Sequence, residues 1–343
     1  ENGKEDKPWT HTMIYSPFGS YNIPETIYHE FLKLYENAVV AGYKPHIAEK
    51  HKEFGPIIID FDIVQPKKYS KRYYTKSTII DSIKIYNSII KKYLQVDNNA
   101  MMAYVTEKPN PELRANEYHD GIHITYPFIC TKPSIQFLMR DEFLKIAKKR
   151  DIFGKIPLSK THEDLDEVFD KKVIYRTGWM LYGSVKKPHH EPYKLTHIYF
   201  PQNKELCDIL FPTDNINSRQ WIGKLIRLLS CRKFFSEKEL TPISQDLDAK
   251  EIDNKMNSVT KKIKNVDDQK TTLSSMMGED INIINALPYH EYIEVKNLVK
   301  LFSKKRSNDY HTWYQVGSCL HNLDCRLLED WIEFSKKSKK FVP

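Results

Sequence analysis

One stretch constrains this chain more than any other: Pro56-Ile57-Ile58-Ile59-Asp60-Phe61-Asp62-Ile63-Val64. An apolar, β-branched run bounded by Gly55-Pro56 and Gln65-Pro66 predicts a strand. Its near-continuous apolar character predicts a central one. Asp is depleted in strands, yet two sit here at i and i+2. That spacing puts both carboxylates on one face, ~7 Å apart by the rise per residue. Such a pair repels unless a cation lies between its members, and hard divalent cations take oxygen ligands. Asp60 and Asp62 therefore read as metal ligands. Two solvated carboxylates at a sheet edge are the bland alternative.

Other elements follow from periodicity. Residues 10–56 read as helix and loop. Residues 77–94 predict a helix, with Ile79, Ile83, Tyr86, Ile90 and Tyr93 on one face and Ser77 or Thr78 as N-cap. Strands are expected over 101–106 and 121–130, a helix over 134–149, and a strand pair across 173–182 and 193–200. Residues 217–235 predict a helix with Trp221, Leu225, Leu228 and Leu229 inside. From 236 to about 285 the chain is polar and charge-mixed, which reads as a linker with some helix, or a partly disordered connection. From 286 an aromatic-rich piece predicts a small helical domain. The chain has 343 residues, 40% of them hydrophobic and 29% charged. That length suits two domains and excludes wholesale disorder.

Three further motifs carry chemistry. In His119-Asp120-Gly121-Ile122-His123-Ile124, a strand would place His123 on the face of Gly121, with Ile122 and Ile124 on the core side. Gly121 would let a ligand approach the backbone, although a lone histidine fits an ordinary packed position as well. Tyr182-Gly183-Ser184-Val185-Lys186 offers backbone N–H groups, a hydroxyl and an ammonium to a phosphate. It also fits a plain turn. Lys67, Lys68, Lys71 and Arg72 alternate with tyrosines just past the strand. That mix suits a single nucleic-acid strand, or a solvated loop.

Charge and cysteines set the remaining bounds. The formal +8 permits a polyanionic partner without demanding one. Five scattered cysteines, without a C-x-x-C, predict neither a disulfide framework nor a zinc module, and an intracellular, reducing compartment. No apolar run of membrane-spanning length is present, so no membrane partner is expected. The polar start without Met predicts a piece of a longer protein.

The order of the motifs is more specific than any one of them. A strand ending in Asp60-x-Asp62, then Gly121-x-His123, then Phe169-Asp170 and Ser184-x-Lys186, resembles the archaeo-eukaryotic primase superfamily. The flanks Pro45-His46-Ile47-Ala48-Glu49-Lys50 and Pro192-Tyr193-Lys194-Leu195 are similar to the primase half of poxvirus-type primase–helicases of nucleo-cytoplasmic large DNA viruses. Trp313, Val316-Gly317, Leu320, Trp331 and Ser335 resemble the small helical primase C-terminal domain of that group.

The resemblance implies an α+β fold. Its catalytic core would be a mixed sheet flanked by helices, with an RRM-like half, over 1–235. A linker over 236–285 and an all-α domain over 286–343 would follow. It implies a DNA primase, a nucleotidyltransferase working on single-stranded DNA with nucleoside triphosphates. Asp60, Asp62 and Asp170 would hold two Mg²⁺ or Mn²⁺ ions, with His123 catalytic beside them. His123, Ser184 and Lys186 would bind the nucleotide, and Lys67, Lys68, Lys71 and Arg72 the template. The cation that would assist Lys186 at the triphosphate stays open. A helicase would follow on the same polypeptide, acting at viral replication sites in the host cytoplasm. A D-x-D glycosyltransferase and a non-catalytic strand-binding or oligomerisation module are the alternatives.

Overall fold

The computed structural model describes residues 9–16, 18–159, 165–209, 215–245, 254, 256, 289–323 and 327–341. The chain divides into two compact units: Ile23–Asp268, and the two ends, Glu1–Asn22 with Gln269–Pro343. The elements begin β1 (His11–Met13), β2 (Gly19–Tyr21), α1 (Glu25–Val40), β3 (Ile47–Glu49), β4 (Gly55–Pro66) and α2 (Lys76–Tyr93). Next come β5 (Ala103–Glu107), β6 (Glu112–Arg114), β7 (Glu117–Thr131) and α3 (Pro133–Lys149). A tight helical turn at Lys171–Ile174 precedes β8 (Trp179–Met180), β9 (Lys194–Phe200), β10 (Glu205–Asp208) and α4 (Asn215–Leu228). Among the described residues, α5 (Tyr289–Lys300), α6 (Lys304–Asn308), α7 (Tyr310–Leu323) and α8 (Leu328–Ser335) lie towards the C-terminal end.

The larger unit is built on a sheet of order β10-β9-β5-β7-β4, with β6 also on β7, so β4, expected to be a central strand, ends the order. Its apolar run reflects burial on both faces, Ile58 lying in a second cluster, and its outer side carries the Phe61–Phe169 bridge. Neighbouring strands pair antiparallel. β4 and β5 run in the same sense, but β7 lies between them. The mixed sheet expected from the sequence is thus parallel only between strands that are not neighbours.

Alternation along β4 separates core from site. Ile57, Ile59, Phe61 and Ile63 are fully buried. They pack in one cluster with Ile79, Ile83, Tyr86 and Ile90 of α2 and Ile135, Met139 and Phe143 of α3. Phe61 stacks on Phe143 at 5.6 Å and meets Phe169 edge-on at 5.5 Å. Asp60 and Asp62 fall on the opposite face. Thr75, not Ser77 or Thr78, is the N-cap of α2, and its N–H donates to Thr78 Oγ1 at 3.3 Å.

Several expectations need correction. Residues 173–182 do not form a strand paired with 193–200. Asp170 instead accepts a hydrogen bond from Lys172 N at 2.9 Å and turns the chain into the Lys171–Ile174 turn. Only Trp179–Met180 is extended, and it pairs with β3. Helix α4 stops at Leu228 rather than 235. Just beyond it the buried Glu49 carboxylate accepts from Ser230 Oγ at 2.8 Å and Cys231 N at 2.9 Å. Trp221, expected inside, is 39% exposed, while Leu225 and Leu229 are buried.

The start of the expected linker is held against the larger unit. Gln95 N donates to Pro242 O at 2.8 Å, Ser244 N to Tyr93 O at 2.9 Å and Thr241 N to Cys130 O at 2.8 Å. The rest of that linker lies almost wholly outside the described residues.

Helices α5–α8 enclose a core of Val299, Val316, Leu320, Leu327 and Phe334. Trp313 and Trp331 lie 4.9 Å apart by ring centroid. A Cβ at Gly317 would come within 2.6 Å of the Trp331 ring, so glycine is needed for this close approach. Among the described residues no helix is long and apolar enough to cross a membrane.

Candidate active site

The β4–β7 ladder sets the site. In its register Asp60 lies opposite His123, and Asp62 opposite Gly121. Two motifs about sixty residues apart in the sequence thereby become neighbours across one pair of strands. His123 Nε2 stands 3.4 Å from Asp60 Oδ1.

The third aspartate arrives on the other side of β4. Phe169 forms an antiparallel bridge with Phe61. Asp62 N donates to Val168 O at 2.9 Å, and Asp170 N donates to Asp60 O at 3.3 Å. Arg140 of α3 holds this segment from below. Its guanidinium is fully buried, donates from Nε to Phe169 O at 2.9 Å and from Nη2 to Asp166 Oδ1 at 2.7 Å. A buried arginine that grips the carbonyl just before Asp170 fixes where that carboxylate emerges.

The carboxylates feel one another. Burial first, then the Asp62 charge, raises the Asp60 carboxyl well above its ordinary range, with Asp170 adding to the rise. Lys186 and Lys108 pull it back down. Asp60 Oδ1 is buried without a hydrogen-bond partner. Three carboxylates and an unsatisfied oxygen fit a hard divalent cation. Among the described residues no three such side chains are already closed into a metal cage, and like charges do not converge unaided.

His123 is held by aromatic rings. Tyr193 stacks on it at 3.7 Å with 12° between planes, and Trp179 lies at 4.6 Å. Burial first, then the Lys186 and Lys108 charges, pushes the imidazole well below its ordinary range, so it is neutral at pH 7. Gly121 does leave space, but the Tyr193 hydroxyl fills it: a Cβ there would lie 2.3 Å from Tyr193 Oη.

The nucleotide motif divides. Lys186 is exposed and electrostatically linked to Asp60 and His123. Ser184 is buried, and its Oγ accepts from Ile47 N at 3.1 Å and pairs with Tyr35 Oη at 2.8 Å. Its hydroxyl braces the turn through these two bonds. A pocket beside it is lined by Thr106, His123, Trp179, Gly183, Ser184 and Tyr193.

The basic loop divides too. Lys67, Lys68 and Lys71 are exposed. Arg72, expected on the template, is engaged inward. Its Nε and Nη2 reach the two Asp120 carboxylate oxygens at 2.8 and 2.9 Å. Its Nη1 lies 3.4 Å from Glu107. Glu107 also accepts from Tyr74 Oη at 2.8 Å and meets His197 Nδ1 at 3.2 Å. Burial alone would raise the Glu107 carboxyl. The hydrogen bonds of His197, Thr196 and Tyr74 and the Arg72 charge outweigh it and lower it to about 2.

Motif reading missed Arg140, Trp179 and Lys108. Arg140 lies one turn after Gln136 on the buried face of α3, and a charge on that core-facing side is the one signal that could have marked it.

An antiparallel sheet that sets a D-x-D pair against a histidine, with a third aspartate bridged beside it, has the arrangement of an archaeo-eukaryotic primase core. Residues 10–199 match the family described as the C962R protein N-terminal AEP domain, and residues 295–343 match Primase C terminal 2. The chain belongs to this archaeo-eukaryotic primase family. A helicase-named protein of Acanthamoeba polyphaga mimivirus is 53% identical over 333 residues, covering 96% of this chain and 34% of the relative. A helicase-named protein of Invertebrate iridescent virus 3 is 23% identical over 358 residues, covering 98% and 36%. The chain thus spans about a third of the length of the curated relatives it matches.

Gly121→Ala should destabilise the protein by ~1–3 kcal/mol through overpacking against Tyr193. Tyr193→Phe should recover most of that loss, as read by urea unfolding of both single variants and the double variant. No recovery would mean that the hydroxyl is not the clash.

The second prediction concerns acid. The folded state keeps Glu107 ionised down to about pH 2, below its ordinary value of 4.5. This contribution is complete above the ordinary value and is lost as pH falls towards 2. Glu107→Gln should therefore flatten the fall in stability between pH 5 and 2, measured by thermal melts. An unchanged slope would contradict the network.

Proposed function

We propose that this chain is the primase part of a viral primase–helicase: a nucleotidyltransferase that starts chains on single-stranded DNA. One observation carries the reading: the register that sets Asp60-x-Asp62 against His123 while a bridge brings Asp170 alongside. Family membership supports it, and the greater length and the names of the relatives support a helicase on the same polypeptide.

Asp60, Asp62 and Asp170 would hold two divalent ions, Mg²⁺ or Mn²⁺. Bound there, the ions would lower the pKa of a 3′-hydroxyl and neutralise the departing pyrophosphate. The protein's own groups supply position and charge. Neutral His123, clamped between Tyr193 and Trp179, presents a nitrogen beside Asp60 without adding positive charge. It can hold a phosphate oxygen or the attacking hydroxyl by a hydrogen bond. Lys186 offers an ammonium to the polyphosphate. Ser184 acts through the backbone by bracing the Gly183–Lys186 turn. Lys67, Lys68 and Lys71 face solvent and suit template phosphates, while Arg72 props the loop. The setting would be a reducing compartment, at viral replication sites in the host cytoplasm.

The test is primer-independent synthesis on circular single-stranded DNA with labelled nucleotides and Mg²⁺ or Mn²⁺. The wild type should make short products. Asp60→Asn and His123→Ala should reduce them by about 100-fold or more. No wild-type product, or equal product from all three, would refute the proposal.

A further inference from the structure

Among the described residues of the larger unit, one buried ammonium has no ion-pair partner. Lys108 directly follows β5 and is only 8% exposed. Its backbone N–H donates to Gly121 O at 3.2 Å, which ties it to the strand that carries His123. Its Nζ reaches His119 O at 3.5 Å, a weak contact. Among the described residues no carboxylate pairs with it. Glu112, which attracts it, is engaged by Arg114 and lies 3.8 Å from His190. Asp120 is taken by Arg72.

A buried charge without a partner is unfavourable. The surroundings add to the difficulty. Lys186 and Arg114 repel Lys108, while Asp62 and Glu112 attract it. Lys108 and Lys186 both act on Asp60 and on His123. Both ammoniums are thus within electrostatic reach of the paired aspartates, and an anion bound beside them would relieve their repulsion.

We propose that Lys108 is a phosphate-binding residue that holds, with Lys186, the polyphosphate of a nucleoside triphosphate. This rests on the nucleotidyl-transfer reading above and supplies the second cation that the sequence motifs do not name. Burial favours a polyphosphate over a template strand. An enclosed ammonium reaches a ligand that enters the site, whereas a strand crossing the surface meets the exposed Lys67, Lys68 and Lys71. Its backbone bond to Gly121, the residue opposite Asp62 across the β4–β7 ladder, sets it beside the proposed metal ligands.

The experiment uses the whole 343-residue chain and compares wild type, Lys108→Met and Lys108→Gln. Thermal melts read folding. Calorimetry with Ca²⁺ present reads binding of ATP, of AMP, of inorganic triphosphate and of a single-stranded oligonucleotide. Methionine matches the lysine stem and removes the charge. Lys108→Met should melt at the wild-type temperature or above it. It should bind ATP and inorganic triphosphate about tenfold more weakly. AMP and oligonucleotide affinities should change less than about twofold. Lys108→Gln should weaken the triphosphates in the same way.

Several results would overturn the assignment. Unchanged ATP affinity in both variants would remove Lys108 from the site. A selective loss of oligonucleotide binding would make it a template contact. Unfolding of both variants would make it a structural lysine. Failure of the wild type to bind any triphosphate would instead strike the nucleotidyl-transfer reading itself.

Discussion

The pairing register of β4 against β7 is the constraint on which everything else rests. Side chains alternate along a strand, so a slip of one residue would turn every side chain to the other face. Here such a slip would send Asp60 and Asp62 into the aromatic core and expose Phe61. The register is therefore enforced by burial. Ile57, Ile59, Phe61 and Ile63 must face α2 and α3, and the aspartates must then face away. Chemistry at this site is a consequence of hydrophobic packing behind it.

Buried charges refine what the register sets. Arg140 is spent on the carbonyl before Asp170, and Arg72 on Asp120 and Glu107. Both arginines are paired, and both hold a segment that borders the site. A paired buried arginine is costly to break and fixes geometry. Lys108 differs because, among the described residues, its buried charge has no ion-pair partner, and that contrast is the ground for proposing it as a ligand group. The three roles follow from partners, not from residue type.

The legibility of the chain follows the range of the interactions involved. The β4 strand, the α2 and α3 helices and the face shared by Gly121 and His123 were readable because each depends on local periodicity. The order of motifs carried the family and the small helical domain. Long-range partnerships were not readable. Arg72 looked like a template cation because its partners lie 35 and 48 residues away. The bracing bonds of Ser184 are equally hidden from local reading, because their partners lie 137 and 149 residues away. The strand expected over 173–182 failed at Asp170, whose side chain caps the following turn. A hairpin between β6 and β7 also escaped notice. Ala115 and Asn116 both take positive φ there, a two-residue turn that usually advertises itself with glycine.

If strand register gathers Asp60, Asp62 and Asp170 around divalent metal, manganese should bind between them. Crystals soaked in Mn²⁺, measured at the manganese absorption edge, test it most directly. Anomalous density should lie bounded by those three carboxylates and weaken in Asp62→Asn. Density elsewhere on the protein, with none between them, would contradict it.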